Sequence, residues 1–229
     1  MRHKFVLSCE HGGNEIPSID QYLFKNQQAL LSTHAAIDLG TARLYDDLVG
    51  QFDFGVKNEL CRLLIEFNRS LHHPRLFSSY SKSMSAQRKA ELVALYEAYR
   101  NQFISYIRQK TKGGDATIIH LSLHSFTPQL GHDVRDYDVG VLYNPALPFE
   151  KKWAYDLKWA LSRRGLSVRM NRPYLGTADG FTTALRKMFP SDYVGIELEL
   201  NQRWTKDNKF MKPFSGTVRE GITAWMERR

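Results

Sequence analysis

The chain reads as an α/β fold in a single domain, and three observations lead there. Apolar runs of the buried-strand type end in polar, chemistry-bearing residues near 5–11, 116–126 and 193–201. Helical patterns separate these runs. With 229 residues, 42% hydrophobic and 24% charged, the chain can bury one full core without disulfide or metal staples. Ligands of open α/β sheets sit at the carboxyl ends of strands, so the residues that close each run are the first site candidates.

Composition narrows the classes. No apolar run approaches the roughly 20 residues of a membrane span. The N-terminus passes directly into the first strand without a signal-type segment. Cys9 and Cys61 fall in or beside expected buried strands, which reads as reduced core thiols in a cytoplasmic protein. The net charge of +8 suits an anionic small molecule. The basic residues are spread along the chain with no dense block and no aromatic RNA-binding signature, which argues against a nucleic-acid partner.

The first strand, Phe5-Val6-Leu7, stops at Glu10-His11-Gly12-Gly13. Two glycines permit a sharp turn and a close approach, placing an imidazole at the sheet edge or simply making a tight turn with a surface histidine. A helical pattern is expected over 26–52, with Ile37, Leu44, Leu48 and Phe52 on one face. His34 and Asp38 then stand at i, i+4. They read as a metal-binding pair, as an imidazole–carboxylate pair, or as a solvated helix face. Residues 54–56 are expected to form a short strand. The run Cys61-Arg62-Leu63-Leu64-Ile65-Glu66-Phe67-Asn68-Arg69 is expected to be a further buried strand ending in polar groups. Arg69 offers a planar fork for a carboxylate or an oxyanion, and Asn68 an amide that donates and accepts; an Arg–Glu pair through Glu66 is the competing reading.

Residues 72–83 are loop-like, and the adjacent His72 and His73 are read as loop residues beside the site. A long packing helix over 85–112 carries Leu92, Leu95, Tyr99, Phe103 and Ile107 and ends at Gly113-Gly114. In the strand over 116–126, His120, Ser122 and His124 share one face. His124 is nearest the carboxyl end; His120, deeper, reads as a satisfied core residue or a supporting partner. A strand over 137–143, a helix over 149–164, a strand over 167–171, a loop over 171–180 able to cover a cleft, and a short helix over 181–188 follow. The last strand places Glu197 and Glu199 on one face, with Glu199 toward the carboxyl end. Two acids in a buried strand are costly unless paired or metal-bound. A carboxylate in a partly dry cleft is a natural general base. A basic helix over 213–229 completes the chain.

Taken together, Ser8-Cys9-Glu10-His11-Gly12-Gly13-Asn14, His34-Ala35-Ala36-Ile37-Asp38-Leu39-Gly40, the segment from Arg62 to Arg69, His124-Ser125-Phe126-Thr127-Pro128, Gly140-Val141-Leu142-Tyr143, Asn171-Arg172-Pro173-Tyr174 and Glu199-Leu200-Asn201 resemble the N-formylglutamate amidohydrolase family in their order. The resemblance spans residues 8–201. It implies the fold of the zinc carboxypeptidase and aspartoacylase group: one three-layer α/β/α domain with a central mixed sheet, phosphorylase/hydrolase-like.

Residue by residue, the resemblance implies a Zn2+ site with His11 and His124 as ligands and Asp38 as the third, Glu15 being the alternative. Asn68 and Arg69, with Arg62 and Ser125 of the same motifs, become substrate binders, and Glu199 the catalytic base. The stricter N-formylglutamate enzymes carry Asp where this chain has Glu66, and Pro where it has Glu10. The implied reaction is hydrolysis of the linear amide of an anionic N-formyl or N-acyl amino acid. Three protein ligands leave zinc an open position for water, and Glu199 moves the proton. The competing class is a catalytically silent metal- or ligand-binding module of the same fold.

Overall fold

Alternation along three neighbouring strands decides which face of the sheet is apolar and which carries the polar groups. The computed structural model describes residues 2–114 and 116–228. The strands are β1 (Arg2–Cys9), β2 (Phe54–Lys57), β3 (Ala116–Phe126), β4 (Gln129–Leu130), β5 (Asp133–Val134), β6 (Val139–Leu142), β7 (Val168–Met170), β8 (Tyr193–Asn201), β9 (Thr205–Lys206) and β10 (Lys209–Phe210). The helices are α1 (Gln28–Leu31), α2 (Thr41–Leu48), α3 (Ala86–Thr111), α4 (Pro148–Ser162), α5 (Phe181–Met188) and α6 (Lys212–Glu227).

The central sheet has the order β2-β1-β3-β8-β6-β7. It is mixed: β6 runs antiparallel to β8, while the other neighbouring pairs are parallel. On one face α2, α4 and α6 bury Leu44, Leu48, Trp153, Leu157, Ile222 and Trp225 against Phe5, Leu7, Ile119, Leu121, Ile196 and Leu198. On the other, α3, α5 and the irregular segment 60–84 cover Val6 and Ile118 with Leu64, Ile65, Phe67, Phe103 and Phe181. The result is the three-layer α/β/α arrangement.

The register aligns Ser8 with Ser122 and Glu197, and His124 with Glu199. With a side-chain period of two, Ser8, His120, Ser122, His124, Glu197 and Glu199 therefore line the α3/α5 face, at and below the strands' carboxyl ends.

Three sequence expectations need correction. Residues 61–69 do not form a strand. Leu64, Ile65 and Phe67 are buried as expected, but the chain there runs through turns such as Leu64 N–H to Cys61 O at 3.0 Å and Arg69 N–H to Glu66 O at 3.2 Å. The edge position beside β1 belongs to β2. An apolar run without alternation can bury itself in either conformation.

The expected continuous helix over 26–52 is broken into α1, a run of turns, and α2. Gly40, at φ +86°, lies in the left-handed region immediately before α2, and a helix cannot run through it. Ile37, Leu44, Leu48 and Phe52 are nevertheless buried. On α3, Leu95 is 50% exposed; Tyr96 takes the core place one position along, in the stripe Leu92, Tyr96, Tyr99, Phe103 and Ile107.

The turn after β1 packs backbone on backbone. A Cβ on Gly13 would lie 2.1 Å from Glu59 O and 2.4 Å from Glu59 Cα, atoms that no side-chain rotation can move aside. Gly13→Ala should lower stability by about 1–3 kcal/mol, the usual cost of overpacking, read as a lower urea midpoint. Gly50→Ala, where nothing lies within 4 Å of the added Cβ, should leave the midpoint near that of the parent.

Candidate functional site

The site forms where the first Glu-His-Gly-Gly turn meets the end of β3. His11 and His124 stand with ring centroids 5.0 Å apart. Both Nδ1 atoms point at one oxygen, Asp38 Oδ2, at 3.2 and 2.9 Å. Ser125 N–H also donates to that oxygen, at 3.3 Å. One ligand atom from each of His11, Asp38 and His124 lies within 4.8 Å of the others, and all three residues are buried.

Asp38 arrives on the turns before α2, with its own N–H donating to His11 O at 3.0 Å. The expected stacking of His34 on Asp38 is absent because that segment is not helical; His34 is exposed and lines the cleft. Glu15 is exposed. Its backbone bridges to Leu60, and it lies outside the His11, Asp38 and His124 group.

Each imidazole has a second carboxylate on its far side. His11 Nε2 contacts Glu66 Oε1. Glu66 Oε2 in turn accepts from Arg62 Nη2 at 2.5 Å and Nε at 2.9 Å, and Arg62 Nη1 reaches Asp38 Oδ1 at 3.2 Å. His124 Nε2 lies 3.0 Å from Ser122 Oγ and 3.1 Å from Glu10 Oε2. The Arg–Glu pair weighed from the sequence is therefore Arg62–Glu66.

Glu10 had no role in the sequence reading beyond its place in the motif. It is fully buried and accepts from Ser122 Oγ at 2.6 Å and Tyr99 OH at 2.9 Å. The available signal was its parity with Ser8, which turns it toward the polar face. His120 is the satisfied core histidine, between Tyr193 OH at 2.6 Å and Ser8 Oγ at 2.7 Å. Burial pushes its pKa down to about 3, so it is neutral.

The cluster's electrostatics follow from these contacts. Burial and the Arg62 guanidinium oppose protonation of His11, yet Glu66 and Asp38 outweigh them and its pKa is raised. Burial likewise opposes a charge on His124, and Asp38 and Glu10 raise its pKa well above the ordinary value. Burial alone would neutralise Asp38, Glu10 and Glu66. The histidines beside all three, with Arg62 beside Asp38 and Glu66, instead hold them below the usual carboxylate range.

A cavity of about 360 Å³ opens over the cluster, and its lining includes Asn68, Arg69, Tyr174, Leu175, Glu197 and Glu199. Asn68 Oδ1 accepts from Phe181 N–H at 2.8 Å, and its Nδ2 lies 3.4 Å from His124 Nε2. Arg69 Nη1 donates to Asp179 O. Ser125 Oγ donates to Leu39 O at 3.0 Å and accepts from Gln202 Nε2 at 3.0 Å. Glu197 Oε1 accepts from Thr182 Oγ1 at 2.5 Å. Glu199 Oε2 is buried with no hydrogen-bond partner among the described residues. Burial, reinforced by Asp38 and Glu197, pushes its pKa up to about 7 against the pull of the two histidines.

The model of the N-formylglutamate amidohydrolase family matches residues 3–205. The chain belongs to the N-formylglutamate amidohydrolase family. Among solved structures, a gene product of Agrobacterium tumefaciens is 22% identical with a TM-score of 0.81, over 98% of this chain and 90% of its own. An N-formylglutamate amidohydrolase from Ralstonia eutropha JMP134 is 14% identical with a TM-score of 0.72, over 99% and 93%. At these identities the likeness speaks for the fold. A search of curated proteins finds no match.

The donor set of this amidohydrolase fits a divalent metal. Two nitrogens and a carboxylate oxygen converge, and each histidine's other nitrogen faces a carboxylate, the arrangement that orients metal-binding imidazoles. The unpartnered Glu199 oxygen lines the same cavity.

Because burial favours its neutral acid, Glu199 contributes stability below its ordinary value of 4.5 and loses that contribution as pH rises through about 7. Glu199→Gln stays neutral at every pH. In metal-stripped protein its stability relative to the parent should rise between about pH 5 and 8, by up to about 3 kcal/mol. Denaturant midpoints measured across that range check this; a pH-independent difference contradicts it.

Proposed function

We propose that the chain is a zinc-dependent amidohydrolase that cleaves the linear amide of an N-formyl or N-acyl amino acid, with N-formylglutamate-like compounds as the substrate class. One observation carries the reading: two imidazole Nδ1 atoms and Asp38 Oδ2 converge in a cavity whose lining also includes Glu199, one of whose buried oxygens has no hydrogen-bond partner among the described residues, and Arg69. His11, Asp38 and His124 would hold the ion. When bound, zinc supplies Lewis acidity toward the acyl carbonyl and acidifies the attacking water.

The chain's own groups do the rest. Glu199, ionised, accepts a proton from water and passes it to the leaving nitrogen. Arg69, aided by Asn68, binds the carboxylate of the amino-acid part through a planar fork. Arg62 holds Glu66 and Asp38 and so keeps the His11 side of the cluster in place. The bond broken is the amide C–N; water supplies the hydroxyl of the carboxylic acid product and a proton for the released amine. The bias toward an anionic substrate agrees with the net charge of +8. Two buried free thiols suit a cytoplasmic setting. Among the described residues no helix is long and apolar enough to cross a membrane.

Hydrolysis of N-formyl-L-glutamate and of other N-acyl amino acids, followed by amine release, tests the reading. Activity should vanish on chelation and return with zinc; binding of zinc without any turnover would favour the silent module. Glu199→Gln should keep fold and metal and lower kcat by roughly 10²–10⁴-fold, whereas Arg69→Ala should mainly raise KM. Asp38→Ala should release the metal and Glu15→Ala should retain it, as judged by metal content after dialysis; the reverse pattern moves the third ligand to Glu15.

A further inference from the structure

We propose that Glu10 is a positioning residue for the metal site: it accepts the Nε2 proton of His124, turns that histidine's Nδ1 toward the ion, and brings a negative charge that, among the described residues, is ion-paired with no guanidinium or ammonium. The proposal rests on the metal reading above, and goes beyond it in assigning a role to a residue outside the three ligands.

The two histidines are not equivalent. His11 leans on Glu66, whose carboxylate is already paired with Arg62 through two hydrogen bonds. His124 leans on Glu10, whose carboxylate oxygens meet, among the described residues, Tyr99 OH, Ser122 Oγ and His124 itself. Arg100 directs its Nη2 to Phe67 O and Arg69 O, at 3.2 and 2.8 Å, and lies over the Tyr96 and Phe181 rings. Arg100 feels the Glu10 charge without pairing with it, and the direct contact of Glu10 with the two metal-site histidines is through His124.

Hydrogen-bond direction fixes the tautomer. Ser122 gives its hydroxyl proton to Glu10, leaving only lone pairs for His124 Nε2, 3.0 Å away. Glu10 and Ser122 are the two nearest neighbours of Nε2 and both are then acceptors, with Asn68 Nδ2 farther off at 3.4 Å, so Nε2 carries a proton toward Glu10, and the Nδ1 proton facing Asp38 Oδ2 is the one an incoming ion would displace. A carboxylate in this position makes the imidazole a stronger donor and limits its rotation.

The test is zinc affinity by competition with a chromophoric chelator, joined to nitrogen-15 NMR of the histidines in the zinc-loaded protein. The parent should show His124 protonated on Nε2 and metal-bound through Nδ1. Glu10→Gln keeps the shape but removes the charge, and should weaken zinc binding 10–100-fold, while Tyr99→Phe, which leaves the charge, should stay within about threefold. Folding is checked by circular dichroism. A parent His124 protonated on Nδ1, or a folded Glu10→Gln protein that binds zinc like the parent, overturns the proposal and leaves the metal reading standing. If Glu10→Gln does not fold, the tautomer in the parent decides alone. A parent that binds no zinc overturns both.

Discussion

Three carboxylates held ionised and buried around two imidazoles, with the Arg62 guanidinium paired to two of them, are the constraint on which the rest of this structure depends. Glu10, Asp38 and Glu66 are each 8% exposed or less and are held in the ionised form by their neighbours. Arg62 pairs with Asp38 and Glu66, and His11 and His124, both shifted toward protonation, face all three carboxylates between them. A divalent cation among the ligands would supply positive charge in place of ligand protons. Removing any one partner would leave a buried charge uncompensated, which is far more costly than losing a surface ion pair.

The scaffold serves this arrangement. The turn after β1 packs against residue 59 without room for a side chain, placing His11 over Asp38. The irregular segment 60–84 brings Arg62, Glu66, Asn68 and Arg69 onto the sheet's carboxyl edge. It is tied to the loop before α5 by Ser70 N–H to Asp179 Oδ2 at 3.0 Å, and to the start of α5 by Phe181 N–H to Asn68 Oδ1. That loop lends Tyr174, Leu175 and Ala178 to the cavity, so the covering loop and the proposed carboxylate-binding pair are one mechanical unit.

Much of this was legible in the sequence where a period was present. The alternation in 116–126 and 193–201 placed His120, Ser122, His124, Glu197 and Glu199 on one face, and the register confirms that face. The apolar segment 61–69 carries no alternation, so burial was legible there and conformation was not. Asp38 was picked out through the family motif, yet the helix expected to present it does not exist; a left-handed glycine at position 40 interrupts it. The placement of Glu10 was the least accessible. An acid beside a glycine turn reads as surface, and its burial depends on Tyr99, 89 residues away in sequence, and on Ser122, 112 away.

The charge balance at the site is tested most directly by counting protons as zinc binds. Isothermal titration of the metal-stripped protein with zinc near pH 7, in buffers of different ionisation enthalpy, gives that count. With His11 and His124 both shifted toward protonation, and ligands deprotonated on binding, loading should release protons. Stoichiometric zinc binding with no proton release, or no binding at all, would contradict the account.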